Sequence, residues 1–421
     1  MPKKVLIVSS YAPPTITGGP KIIYNLLKGL PVNSYIILTS FFGIDNVSAK
    51  IGSWLPGKYI FYDNIKADKK SFDFNENKRS TIITRSLIMR LKYLAKRVKF
   101  VRNIIGIPII FKQISSIVHQ GKRSVDNENV DALFGFSDYG PALIGTYLIH
   151  KATKKPYFVC MFDLYKGNIF PFPGGIMARI FELKIFRKAT KIMVNNYGIL
   201  NYYKKRYGKD ITDKIVVIPN ATYPDPYLKL QTPFNPKPPY TILFTGAVYW
   251  PQIGSLKNLV KAVNEIDDLD IRLKIYSPSP RDYLKKVGIS ESNKVSIDVA
   301  PPQDMPKIQS QADILFLPLA WNTKSQGIVD TATPAKMTDY LISGRPILVH
   351  APASTYLVEY ARENDFGAVV DEENIEALKA SIRSILTNKR YADRLVKNAQ
   401  DTFYRNHHIE KSIRLFRSFI A

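Results

Sequence analysis

The sequence predicts an α/β protein of two Rossmann-like, doubly wound parallel-sheet domains, and three observations carry that prediction. The chain's 421 residues exceed what one ordinary core holds. Short apolar, β-branched runs recur at intervals that leave room for a helix, and a proline-dense stretch divides them into two series. With 45% hydrophobic and 12% aromatic residues the chain has the apolar surface for packed interiors, which excludes a largely disordered protein.

The first series runs VLIV from Val5, YIIL from Tyr35, ALFGF from Ala132, YFVC from Tyr157, KIMV from Lys191 and IVVI from Ile215. None alternates strictly between polar and apolar, as expected of strands buried on both faces of a parallel sheet. Residues 1–222 are therefore expected to form the first domain. From Tyr223 the segment YPDPYLKLQTPFNPKPPY places six prolines in 18 residues, a composition hostile to both helix and central strand, so 223–239 is expected to be a linker.

The alternation then restarts with TILF from Thr241, RLKIY from Arg272, VSI from Val295, DILFLP from Asp313, PILV from Pro346 and GAVV from Gly367. This predicts a second doubly wound domain over 240–401. The tail mixes charged and apolar residues at helical spacing, and a helix is expected over about 402–421.

Sixty Lys and Arg against 35 Asp and Glu give a formal charge of +25, which attracts polyanions such as nucleic acid or an anionic leaflet. Cys160 is the only cysteine, so no disulfide within the chain is possible and a cytoplasmic location is the default expectation. Val5–Val8 is too short for the apolar core of a signal peptide. Gly106 and Pro108 interrupt the apolar stretch from Ile104 to Phe111, leaving it well short of the ~20 residues a crossing helix needs, so any membrane contact is expected to be peripheral. The five histidines, His119, His150, His350, His407 and His408, show no metal-ligand spacing, and no metal or other cofactor is expected.

Three turns hold residues suited to chemistry. Gly18 and Gly19 precede the first predicted helix, where unpaired N–H groups and the helix dipole favour an anion and glycine lets backbone approach it. Ser137, Asp138 and Tyr139 end one predicted strand, and Asp163 and Tyr165 end the next. Asp163 suits orienting or deprotonating an acceptor hydroxyl; Asp138 suits the same role or capping the helix that follows it. In SQGIVDTATPAKMTDYLISGRPILVH, Thr331 and Thr333 precede a proline at a helix start, and Lys336 and Asp339 fall on one face of its first turns. Hydroxyls, backbone donors and a cation there match a diphosphate, with a carboxylate one turn on for a ribose diol. A solvated ion pair on a helix has the same spacing.

Five motifs in order resemble glycosyltransferase family 4: GG in the first turn, DLY after the fourth predicted strand, IPNAT late in the first domain, FTGAVY opening the second and PAKMTDYLISGRPIL near its end. The resemblance covers nearly the whole chain and implies a GT-B fold with a cleft between the two domains, a last helix crossing back to the first domain, and metal-free transfer with retention of configuration. It places the nucleotide-sugar on the second domain and the acceptor on the first. It makes Asp339 the ribose-binding carboxylate and assigns the diphosphate to Gly246, Lys336 and the Thr331–Thr333 turn. Two departures stand out. Thr331 occupies the position of a sugar-contacting glutamate, with Asp330 next to it. Ala247 stands where the family has Arg, leaving Lys257 as the expected cation after the first strand of that domain, or else Lys336 or Arg345 in its place.

Residues 66–123 hold 15 Lys or Arg against three acids. A helix from Arg85 to Ile105 would put Leu87, Leu91, Leu94 and Val98 on one face. Met89, Tyr93 and Phe100 would lie opposite, flanked by Lys92, Lys96 and Arg97, a pattern suited to headgroups of an anionic membrane's inner face. The expected partners are thus a nucleotide-sugar donor, a glycan or lipid-linked acceptor and an anionic membrane surface. A basic nucleic-acid-binding protein is the rival reading, disfavoured because no recognised motif for it appears and the charge clusters in one segment. An epimerase-like or inactive relative is the other.

Overall fold

The computed structural model describes residues 4–15, 18–44, 46–64, 66–67, 99–170 and 172–420. The chain divides into two compact units. The first holds Met1–Val194, Tyr203–Val216 and Phe416–Ala421; the second holds Asn195–Tyr202 and Val217–Leu415.

The first unit contains a seven-stranded sheet ordered β3-β2-β1-β4-β5-β6-β7. Its strands are β1 (Val5–Val8), β2 (Tyr35–Thr39), β3 (Lys58–Phe61), β4 (Ala132–Phe136), β5 (Tyr157–Met161), β6 (Lys191–Val194) and β7 (Ile215–Val217). Strand β1 pairs in parallel with both β2 and β4, so strand order reverses between β1 and β4, where a ligand crevice belongs in such a sheet. Strands β1, β2, β4 and β5 are buried throughout, as their unbroken apolar runs predict. Strand β3 has no counterpart in the sequence reading. It is an edge strand with Lys58 in solvent, so it lacks the continuous apolar run that marks the interior strands. Helices Lys99–Asn127, Pro141–Thr153 and Gly174–Lys188 link and cover the strands. The tail completes this unit's core: the rings of Phe416 and Phe419 meet Phe134 of β4 edge-on at 5.3 and 5.9 Å.

The second unit contains a six-stranded sheet ordered β10-β9-β8-β11-β12-β13. Its strands are β8 (Tyr240–Thr245), β9 (Ile271–Tyr276), β10 (Val295–Asp298), β11 (Ile314–Pro318), β12 (Ile347–His350) and β13 (Ala368–Val370). Strand β8 pairs in parallel with β9 and β11, and its carboxyl end is the reversal point of this sheet. The proline-dense stretch packs onto this unit, with Tyr227 and Phe234 buried in two of its apolar clusters. Arg345 fastens it there. Its guanidinium donates to the carbonyls of Ser310, Thr232 and Gly344 and to the Thr232 hydroxyl at 2.7–3.0 Å. That set of bonds commits Arg345 to the backbone, so it does not replace the cation expected at position 247.

Among the described residues no helix is long and apolar enough to cross a membrane. The membrane-facing residues read from the sequence, Met89, Lys92, Tyr93, Lys96 and Arg97, lie outside the described residues; Phe100 falls in the first turn of helix Lys99–Asn127.

Candidate functional site

At the carboxyl ends of β1, β4 and β5 the first unit encloses a cavity of about 550 Å³. Ser137, Asp138, Tyr139, Asp163 and Tyr165 all line it, together with Gly19 from the turn after β1. Gly18 is the exposed first residue of helix Gly18–Lys28. A side chain at Gly19 would lie close against the ring of Phe162, also in the wall, at 3.2 Å.

The two aspartates have different surroundings. Asp138 accepts from the backbone N–H of Gly140 at 2.7 Å and of Ala142 at 3.2 Å, and from the Ser10 hydroxyl. It therefore anchors the start of helix Pro141–Thr153, the capping arrangement. Burial raises its pKa to about 6 against the pull of those bonds. Asp163 stands open to the cavity, and desolvation by the surrounding walls raises its pKa to about 6 as well. A carboxylate poised there is suited to accept a proton from a hydroxyl.

Supporting bonds fix the walls. The Ser137 hydroxyl accepts from the Phe162 N–H at 2.9 Å, tying the end of β4 to that of β5. Tyr139 donates to Gln113 at 2.8 Å. Tyr165 is buried, and among the described residues its hydroxyl has no hydrogen-bond partner. Buried Glu182 accepts the Lys166 N–H at 2.7 Å and the Tyr207 hydroxyl, holding the loop that carries Asp163 and Tyr165. The cavity's named lining carries two carboxylates and several aromatic faces but no cation. That suits a polyol, whose C–H faces stack on rings and whose hydroxyls donate to carboxylates.

In the second unit, the turn after β8 brings Gly246 and Lys336 together. Gly246 has φ of +107°, a conformation that favours glycine, and a side chain there would meet Lys336 Cε at 3.5 Å. The Lys336 ammonium lies 3.5 Å from the Phe244 ring centroid, and its nitrogen is buried with no hydrogen-bond acceptor among the described residues. Desolvation pushes its pKa well below that of an ordinary lysine. Tyr340, one turn on, accepts from the Thr245 N–H at 3.0 Å and locks the short helix Met337–Ile342 to the end of β8.

The Thr331–Thr333 turn is held differently. Thr331 donates back to the Gly327 carbonyl at 2.8 Å, so its hydroxyl is engaged within its own helix. Asn196 donates to the Thr331 carbonyl at 3.0 Å and the Thr333 hydroxyl at 2.9 Å, while its own oxygen accepts the Ile199 N–H at 2.8 Å. Asp339 is buried and takes the hydroxyl of Tyr227. Lys257 is exposed, and its side chain lies against Gly288, so the two cations Lys257 and Lys336 rest on different turns.

Sequence reasoning missed Asn196, whose partners lie 135 and 137 residues away, and it missed Glu182 and the cavity residues Tyr11, Asn168 and Phe170. The only available signal for Asn196 was an Asn pair following an apolar strand.

A doubly wound pair of parallel sheets is the GT-B architecture, and residues 239–388 match the family model described as glycosyl transferases group 1. The second unit thus carries a group 1 glycosyltransferase domain. Among solved structures, the fold is similar to the HepE protein of Anabaena in complex with UDP-glucose, with a TM-score of 0.66 and 10% identity over 99% of both chains. It is also similar to the sucrose-phosphate synthase of Thermosynechococcus elongatus, with a TM-score of 0.64 and 12% identity over 99% of both chains. A putative UDP-N-acetylglucosamine 2-epimerase from Listeria monocytogenes gives 0.57 and 14% identity, over 100% of this chain and 96% of that one. No curated protein sequence matches the chain.

Proposed function

We propose that this protein is a family 4 glycosyltransferase. It moves a sugar from a nucleoside-diphosphate sugar to a glycan or lipid-linked acceptor, with retention and without a metal, on the cytoplasmic face of a membrane in cell-surface glycoconjugate synthesis. The observation that carries this reading is Lys336, a buried ammonium without an acceptor, set against a glycine turn at the reversal point of a domain that matches group 1 glycosyltransferases. A diphosphate supplies the acceptor that nitrogen lacks. Departure of the nucleoside diphosphate concentrates negative charge on phosphate, and a fixed cation aimed there stabilises the transition state more than the ground state.

In the first unit, Asp163 accepts a hydrogen bond from the acceptor hydroxyl while the aromatic walls hold its ring. UDP-sugars are the first donors to test, since HepE was solved with UDP-glucose. The test is transfer of labelled sugar to glycan and polyprenol-linked acceptors, with the anomeric configuration of the product read by NMR. Labelled product with the donor's configuration supports the reading; absence of transfer from UDP, GDP and ADP sugars opposes it. The likeness to the epimerase and the threonine at position 331 favour a second reading, C2 epimerisation of the donor, which the same assay reveals as a changed sugar formed without acceptor.

A further inference from the structure

Two neighbouring stretches of the first unit leave large apolar side chains in solvent: Ile107, Ile109 and Phe111 of one helix, and Phe172, Ile176 and Ile180 at the start of another. Single exposed apolar residues are ordinary; a cluster is informative. Neither helix lacks a core face of its own. Helix Lys99–Asn127 buries Ile110, Ile114 and Ile117, and helix Gly174–Lys188 buries Met177, Ala178 and Ile185. Ile107 and Phe111 on the first helix, and Ile176 and Ile180 on the second, are each four residues apart and form an apolar stripe beside the buried one, while Ile109 lies on the other side of its helix. The two stretches are neighbours, because a side chain at Gly106 would meet the Phe172 carbonyl oxygen at 3.0 Å and Pro173 at 3.8 Å.

Charge selects the occupant. The exposed ionic residues of these stretches, Lys112, Arg179 and Lys184, are all cations, while the acid of helix Gly174–Lys188, Glu182, is buried and bonded inward. The surface also borders the cavity. The first residue of helix Gly174–Lys188 lies against Phe170 of the cavity wall, where an added side chain would meet Phe170 Cβ at 3.0 Å and the Tyr139 carbonyl at 3.1 Å.

We propose that Ile107, Phe111, Phe172, Ile176 and Ile180 form a docking surface for an anionic lipid bilayer: the apolar side chains enter the acyl boundary and Lys112, Arg179 and Lys184 meet lipid phosphates. The inference rests on the reading of a membrane-presented acceptor and names residues that meet the membrane. An acceptor anchored by an apolar tail then offers its polar end beside Asp163.

The test is co-sedimentation of the full chain with phosphatidylglycerol vesicles and with phosphatidylcholine vesicles. Binding to the anionic vesicles alone, weakened by salt, is expected. Phe111→Glu and Ile176→Glu each reduce the partition coefficient about tenfold, the effect of withdrawing one large apolar side chain. Lys112→Glu or Arg179→Glu reduces it about fivefold. Val299→Glu, an exposed apolar position of the second unit, leaves it unchanged. All these positions are exposed, and unchanged melting temperatures confirm that the variants fold. Wild-type chain that stays in the supernatant, or Phe111→Glu and Ile176→Glu variants that bind like wild type, overturns the proposal. A wild-type dimer that these variants convert to monomer overturns it in favour of self-association. UDP binding measured on the same samples separates the two claims, since vesicle binding fails or holds independently of the nucleotide.

Discussion

Desolvation raises the pKa of Asp163 and of Asp138 alike, to about 6, but the two carboxylates have different partners and predict different losses. Asp163 must be ionised to accept from an acceptor hydroxyl, so transfer is expected to fall as pH drops through about 6, and Asp163→Asn removes that limb from the pH profile of kcat/KM. Asp138→Ala instead costs about 1–2 kcal/mol of stability through the lost helix anchor, measured by denaturant unfolding. Because folding raises the Asp138 pKa, the folded state binds its proton more tightly, and this group weakens the fold as pH rises from about 4 to about 6. Buried His407 works in the opposite sense. It bonds the Asn220 carbonyl at 2.7 Å and the Tyr360 hydroxyl at 2.9 Å, and burial lowers its pKa to about 4. Its contribution is full above about 6.5 and is lost as pH falls toward 4, on the order of 3 kcal/mol, which unfolding curves at pH 7 and pH 4 check.

At the scale of elements, Gly246 and Asn196 each hold a turn that no helix or strand fixes. Gly246→Ala is expected to cost about 1–2 kcal/mol from its positive φ, measured by denaturant unfolding, with its methyl group in van der Waals contact with Lys336. Asn196→Ala is expected to cost about 1–3 kcal/mol, leaving the Thr331 carbonyl and the Ile199 N–H without their partner. The interior strands were legible because a strand buried on both faces must be apolar without interruption, as in VLIV and ILFLP. Strand β3 was not, because an edge strand tolerates Lys58. The Asn196 turn was not, because the bonds that fasten it to Thr331 and Thr333 join residues more than a hundred positions apart and no local pattern encodes them.

For the whole molecule, the two doubly wound sheets follow from the periodicity of the apolar runs, and two of the five motifs that resemble glycosyltransferase family 4, FTGAVY and PAKMTDYLISGRPIL, fall within residues 239–388, which match the group 1 model. The surroundings of the site residues were less accessible. Lysine and arginine near one helix look alike in sequence, yet Arg345 is bound to four backbone and hydroxyl oxygens while Lys336 has no hydrogen-bond acceptor among the described residues. Which cation awaits an anion is decided by burial and partners. The central claim is that a nucleoside diphosphate occupies the place beside that ammonium. Thermal unfolding of the wild type and of Lys336→Met with UDP, GDP and ADP tests it: one nucleotide should raise the wild-type melting temperature and leave the variant unmoved. Equal shifts in both proteins, or none in the wild type, would contradict it.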